Sequence, residues 1–167
     1  MPSHKNSPRS ATNAPRAKVQ ADGPDDTQNT ASMAAEAALL GCMILSTEAR
    51  HGAIGMLTAD DFEREAHRTM FLALDTMHAF GEAVDQITVN DKLAGLGKLD
   101  EVGGLAAVFE LTDPTACPSP AAWPTYATIV AREGRRRRGI RVLRRAIARL
   151  EAGEDPAVVA AELEVAA

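Results

Sequence analysis

The chain has 167 residues, 46% apolar but only 4% aromatic, and a formal net charge of −5. That length suits one compact domain with an appendage and excludes a multidomain machine. A core of Ala, Leu, Ile, Val and Met favours helices packed on helices over sheets, so the expected fold class is all-α: a small helical-bundle head followed by a long C-terminal helical hairpin.

Residues 1–30 are rich in Pro, Ser, Asn and Asp with almost no large apolar residue, and they are expected to form a disordered tail. No secretory apolar stretch opens the chain, and "MAAEAALLGCMIL" carries Glu36 and is too short to span a bilayer. A cytoplasmic protein with no membrane partner is expected. The head is expected over 31–113. It starts with a helix whose first turn is capped by Ser32, with Glu36 near the positive end of its dipole and an almost wholly apolar run after it. Next come a short helix over 47–57 capped at Thr47, and a longer one within 58–80, where Met70, Phe71, Leu74 and Met77 recur at helical spacing before Gly81 ends it. Asp60 or Asp61 is expected to cap that helix and Phe62 to enter the core. The stretch 84–97 reads as a loop and a helix capped at Thr88, and 103–113 as a further helix. A Pro-rich connector over 114–124 leads into the hairpin, 125–167, whose first helix runs to about Ala152. Gly134 and Gly139 lie inside it, each expected to weaken it by about 1 kcal/mol relative to Ala.

Charge is uneven: 1–30 carry +1, 31–131 carry −9, 132–149 carry +8 and 150–167 carry −5. The basic block holds "AREGRRRRGIRVLRR". At 100° per residue Ile129, Ile140, Leu143, Ile147 and Leu150 share one stripe, and Arg137, Arg138, Arg141, Arg144, Arg145 and Arg149 fall opposite, so the run reads mostly as a solvated face. The short returning helix offers Val158, Val159, Leu163 and Val165, too few to cover such a stripe, and its glutamates lie close to the arginines. A projecting hairpin with uncovered apolar surface tends to associate with a second copy. The expected protein interface is therefore Ile129, Arg132, Arg136, Ile140, Leu143, Ile147 and Leu150, with the two arginines at its rim and apolar packing supplying the energy. The competing use of the run is a sequence-blind grip on nucleic acid through Arg135, Arg137, Arg138 and Arg141. The acidic overall balance and the absence of interleaved aromatic residues weigh against it.

Candidate chemistry is sparse. Asp60, Asp61 and His67 are the one group that offers an acid/base or metal cluster, and the structural alternative is capping by an aspartate with His67 bonded to a nearby loop. His67 and His78 are eleven residues apart, about 16 Å along a helix, too far to share a metal. The Gly97-Lys98 pair is followed by Leu99, where a phosphate-binding loop needs Ser or Thr. Cys42 and Cys117 have neither metal-ligand nor redox spacing and are expected as buried thiols. The chain is therefore expected to be no enzyme and to hold no metal or cofactor.

Five segments in this order, "AEAALLGCMIL" (35–45), "LTADDFEREAHRTMF" (57–71), "AVDQITVNDKL" (83–93), "GKLDEVGG" (97–104) and "YATIVAREGRRRR" (126–138), resemble the N-terminal domain of bacterial replicative DNA helicases of the DnaB type. The set Asp61, Phe62, His67, Arg68 and Phe71, then Val84, Asp85 and Thr88, then Gly103 and Gly104 carries the likeness. The resemblance implies a helical head with a long hairpin that pairs between subunits, and an N-terminal tier that receives primase. Its implied partners are a second copy of this chain, as a dimer or larger oligomer, and primase or a full-length replicative helicase, with DNA met indirectly or weakly. The family's ATP-hydrolysing motor domain is absent from this sequence. Ala31-Ser32 stands where the family often has a proline, and the second hairpin helix is short.

Overall fold

The computed structural model describes residues 26–165, with side chains from 30 to 163; most of the tail expected at the N-terminus, 1–25, lies outside them. The described residues form seven α-helices and no strand: α1 (Asp26–Leu45), α2 (Thr47–Met56), α3 (Glu65–Ala79), α4 (Gln86–Gly95), α5 (Leu105–Leu111), α6 (Trp123–Glu151) and α7 (Pro156–Val165), with 3-10 turns at Ala59–Asp61, Asp100–Val102 and Pro120–Ala122. The all-α class, with a head of α1–α5 and a hairpin of α6 and α7, is as the composition requires.

α1 is the axle of the head. Ala35, Ala38, Leu39, Leu40, Cys42, Met43 and Ile44 are all buried, because α2, α3, α5 and the root of α6 surround it. A helix covered on every side needs apolar residues all round rather than one stripe. It begins at Asp26, earlier than the expected start at Ser32, so five residues assigned to the tail are helical. Ser32 is consequently not a cap but a buried residue inside the helix, and Glu36 lies well past the first turn.

Three further boundaries differ from expectation, each for a local reason. The cap of α2 is Ser46, whose side chain accepts from the Ala49 N–H at 3.2 Å, and Thr47 is the first helical residue. The stretch 58–80 is not one helix: the turn Ala59–Asp61 and extended Phe62 precede α3. Asp61 accepts from the Thr58 N–H behind it at 2.9 Å instead of capping α3, which begins after Arg64 with no side-chain cap. The cap of α4 is Asp85, which accepts from the N–H groups of Ile87 and Thr88, while the Thr88 hydroxyl accepts the Asp85 N–H at 2.9 Å. Thr88 is thus the return partner in a capping box and not the cap.

Phe62 is fully buried with its ring centroid 5.0 Å from that of Phe71. Met70, Phe71, Leu74 and Met77 all enter the core, and Gly81, at φ +65°, ends α3 as the Glu82 N–H returns to the Met77 carbonyl at 2.9 Å.

Pro124 occupies the first turn of α6, as expected of a proline there. This helix continues without interruption for 29 residues, about 43 Å. Its root is packed into the head through Ala127, Val130, Ala131 and Gly134, whereas beyond Arg135 only Ala146 is buried. After a turn in which Gly153 takes φ +87°, α7 runs back along the arm and buries Val159 against it. No helix among the described residues is long and apolar enough to cross a membrane.

Candidate protein-interaction surface on the hairpin

The root of α6 is joined to the head by a polar lock built on small residues. Gly134 comes so close to the turn Ala59–Asp61 that a Cβ placed on it would stand 2.5 Å from Asp61 Oδ1 and 2.8 Å from Asp61 Cα. That approach lets Arg137 and Arg138, three and four residues farther along the helix, reach into the head. Arg138 Nη1 donates to Asp61 Oδ1 at 2.7 Å, and Arg137 donates to the Asp61 carbonyl, to Glu63 Oε2 at 3.3 Å and to Glu36 Oε1 at 3.5 Å. Burial works against the ionised form of Asp61, yet the Thr58 amide, the Arg138 guanidinium and the Thr58 hydroxyl outweigh it and hold the carboxyl below the usual carboxylate range.

Glu36 is the centre of this lock. It is fully buried on α1, and it accepts the Glu63 N–H at 2.7 Å and His67 Nδ1 at 2.8 Å besides Arg137. His67 therefore bonds a carboxylate of α1 and not a loop, and Asp61 and His67 spend themselves on separate structural partners. Among the described residues there is no group of three His, Cys, Asp or Glu side chains placed to hold a metal ion. The candidate acid/base cluster is a brace between helices.

Because the close approach is at a glycine, the sign of a substitution discriminates between helix propensity and packing. Gly134→Ala is expected to destabilise the protein by about 2–3 kcal/mol, since the clash is with backbone and a buried carboxylate. Gly139→Ala, where nothing lies within 4 Å of the added Cβ, is expected to stabilise it by about 0.5–1 kcal/mol. Paired urea melts measure both, and equal signs would contradict the lock.

Farther out, α7 settles on the arginine side of α6 and not on the Ile/Leu stripe. The cleft between the helices is lined by Arg141, Val142, Arg145 and Ala146 from one side and by Val159 and Leu163 from the other. Arg149 clamps the turn, donating to Glu154 and Glu162. The outer stripe is left open: Ile140 is 37% exposed, Leu143 56%, Ile147 54% and Leu150 42%. Val142 and Val158 are also partly exposed.

The expected interface residues thus divide. Ile140, Leu143, Ile147 and Leu150 lie together on the free face, whereas Ile129 is half-buried against the core of the head. Arg132 and Arg136 both pair with Glu133, at 3.0 and 2.8 Å, and these two guanidiniums outweigh its burial to hold its carboxyl below the ordinary range. Of the four candidate nucleic-acid contacts, Arg135 and Arg141 are exposed, while Arg137 and Arg138 are drawn into the head. Sequence reasoning missed Glu36 and Glu63 as partners of the arm, and Gly134 as the point where the arm meets the head. The one signal for Glu36 was a carboxylate inside a run too apolar to tolerate it unpaired.

Residues 28–132 match the family model of the DnaB-like helicase N-terminal domain. The chain belongs to that family. This DnaB-type domain is 39% identical over 110 residues to the replicative DNA helicase DnaB of Geobacillus stearothermophilus, an alignment covering 66% of the chain and 24% of the relative. It is 36% identical over 107 residues to the replicative DNA helicase DnaC of Bacillus subtilis, covering 64% and 23% respectively. The chain so spans about a quarter of the length of the curated relatives it matches, and the match falls on their N-terminal portion. In three dimensions it superimposes on the crystal structure of the N-terminal domain of DnaB helicase from Mycobacterium tuberculosis with a TM-score of 0.73 and 31% identity, covering 79% of this chain and 93% of that one. A structure of a DnaB-like replicative helicase, described together with its interactions with primase, shares the fold at a TM-score of 0.61 and 21% identity, over 77% of this chain and 29% of the other. The DnaB-type resemblance read from the five sequence segments is therefore correct.

Proposed function

We propose that this chain is a non-catalytic assembly and docking module of DNA replication, which associates with itself through the hairpin and presents its head and arm to a replisome partner. Primase and a full-length replicative helicase are the partners that its relatives suggest. The observation that carries the reading is the stripe Ile140, Leu143, Ile147 and Leu150, which α7 leaves open although it packs on the same helix. The arm is also stiffly held, since Gly134, Arg137 and Arg138 fix its root against the head. A rigid arm with a preformed apolar face loses little freedom on binding.

Fully burying such a side chain is worth about 1.5–3 kcal/mol, so half-exposed ones give about 1 kcal/mol each. Four per copy yield roughly 8 kcal/mol per dimer, the size of a micromolar dissociation constant, and the remaining contacts of the paired arms have to offset the entropy of association. Light scattering across about 1–200 µM is expected to show growth from monomer to dimer or larger species. A monomer throughout overturns the reading. Nucleic-acid binding through Arg135 to Arg138 is the weaker use of the arm, because Arg137 and Arg138 already spend their donors on Asp61, Glu63 and Glu36.

A further inference from the structure

The fold unites two thiols that have no relation in the sequence. Cys42 lies in the last turn of α1 and Cys117 in the loop between α5 and the turn Pro120–Ala122, 75 residues later, and their sulfurs are 3.2 Å apart with both residues buried. Gly41 permits this approach: a Cβ there would stand 2.0 Å from the Leu111 carbonyl oxygen and 2.9 Å from the Cys117 Cβ. With Ala49 the two cysteines form a small core of their own, flanked by Trp123 and Tyr126 at the root of α6. Thiols 3.2 Å apart across a tertiary contact need only a small closing movement to bond, and the Cys42 thiol's contact with the Ser119 carbonyl is longer, at 3.7 Å.

We propose that Cys42 and Cys117 are a covalent modification site, forming a reversible intramolecular disulfide that fastens the connector to α1 and so holds the root of the hairpin, with a peroxide as the oxidant. A small oxidant is required because Cys42 is fully buried and Cys117 only 4% exposed. Cys117 reacts first, for its loop is flanked by exposed Thr115, Pro118 and Ser119. Burial, together with the hydrogen bond and the charge of Cys117, pushes the Cys42 thiol up to about 12, which keeps Cys42 from leading. The Cys117 thiol gives up its proton and the thiolate attacks one peroxide oxygen, the O–O bond breaks, and the departing hydroxide takes up the released proton and leaves as water. Cys117 is then a neutral sulfenic acid, so its repulsion of a Cys42 thiolate is gone. The Cys42 sulfur attacks the sulfenic sulfur, the S–O bond breaks, and the second hydroxide leaves as water with the Cys42 proton. The two sulfurs together give up two electrons and the peroxide accepts them.

The test treats the full chain with hydrogen peroxide under native conditions, alkylates any remaining thiol in denaturant, and reads the mass. The expected product is lighter by ~2 Da, is not alkylated, and gives the tryptic peptides 19–50 and 99–132 joined to each other. A thiol reductant restores the starting mass. Closing so long a loop is expected to raise the midpoint of thermal unfolding by about 5–10 °C. Cys117→Ser, a replacement of nearly the same size, removes the ~2 Da loss while leaving a folded protein. Two alkylated thiols in the treated native protein overturn the proposal. So do oxygen adducts without a cross-link, a cross-link between two molecules, or an unchanged melting midpoint in the cross-linked form.

Discussion

Replacing Leu143 and Ile147 together by Asp is expected to leave a folded monomer at concentrations where the parent chain associates. Both side chains are more than half exposed, so neither supports the monomer's core, and the helix they sit on is anchored elsewhere, at Ala127, Val130, Ala131 and Gly134. In an assembled stripe each Asp replaces about 1 kcal/mol of apolar burial with a carboxylate that must lose its water. With both copies altered the dissociation constant should rise by at least about 100-fold, beyond the range of a light-scattering dilution series. Circular dichroism should show unchanged helix content. An equivalent double change on the arginine side, Arg141→Ala with Arg144→Ala, should leave association within about threefold, because exposed charges carry little of the energy. If the Asp pair leaves association intact, or if the Ala pair abolishes it, apolar packing of the stripe is not what joins the copies.

Glu36→Ala is expected to be the most damaging single substitution for stability. Helix propensity alone favours it, since Ala is the better former in mid-helix. Burial reverses the sign: the Glu63 N–H and His67 Nδ1 lose their acceptor inside the protein, and Arg137 loses one of its three. Removing one partner of a buried ionic network costs about 3–5 kcal/mol, which for a chain of this size lowers the thermal midpoint by about 10–20 °C. Glu36→Gln keeps an acceptor for the Glu63 N–H and should lose roughly half as much. Urea melts of the three proteins should rank wild type, Gln, Ala. The same substitutions free the root of α6, so association through the stripe should weaken with them even at temperatures where the head remains folded.

How far the sequence could be read follows from what each signal measures. Helical periodicity placed Met70, Phe71, Leu74 and Met77 on the inside of α3 and Ile140, Leu143, Ile147 and Leu150 on one side of α6, and both groups share a face in the fold. Capping was harder to assign. Ser32, Thr47, Asp60, Asp61 and Thr88 all have the chemistry of a cap, and only the chain's path decides whether Asp61 turns back to Thr58 or Asp85 takes the place expected for Thr88. The arginines were read from the wheel as solvated, which holds for Arg141, Arg144 and Arg145 but not for Arg137 and Arg138. The reason is the composition of the face they share. Ala127, Ala131 and Gly134 carry little hydrophobic signal, yet small residues are what let α6 lie close against the head, and close approach is what brings the guanidiniums to Asp61 and Glu36.

The amino-acid order by itself determined that this protein is helical, that its last quarter is a hairpin, and that one side of the arm carries more apolar surface than a ten-residue return helix offers to cover. These are properties of spacing along one helix, which local geometry converts directly into faces. Only the tertiary structure decided that α7 covers the arginine side, that Glu36 is a buried hub instead of a helix-end charge, and that Cys42 meets Cys117. Each depends on which surfaces of separate helices come within a few ångströms, and that is set by the packing of small and large side chains around α1, which no single segment encodes.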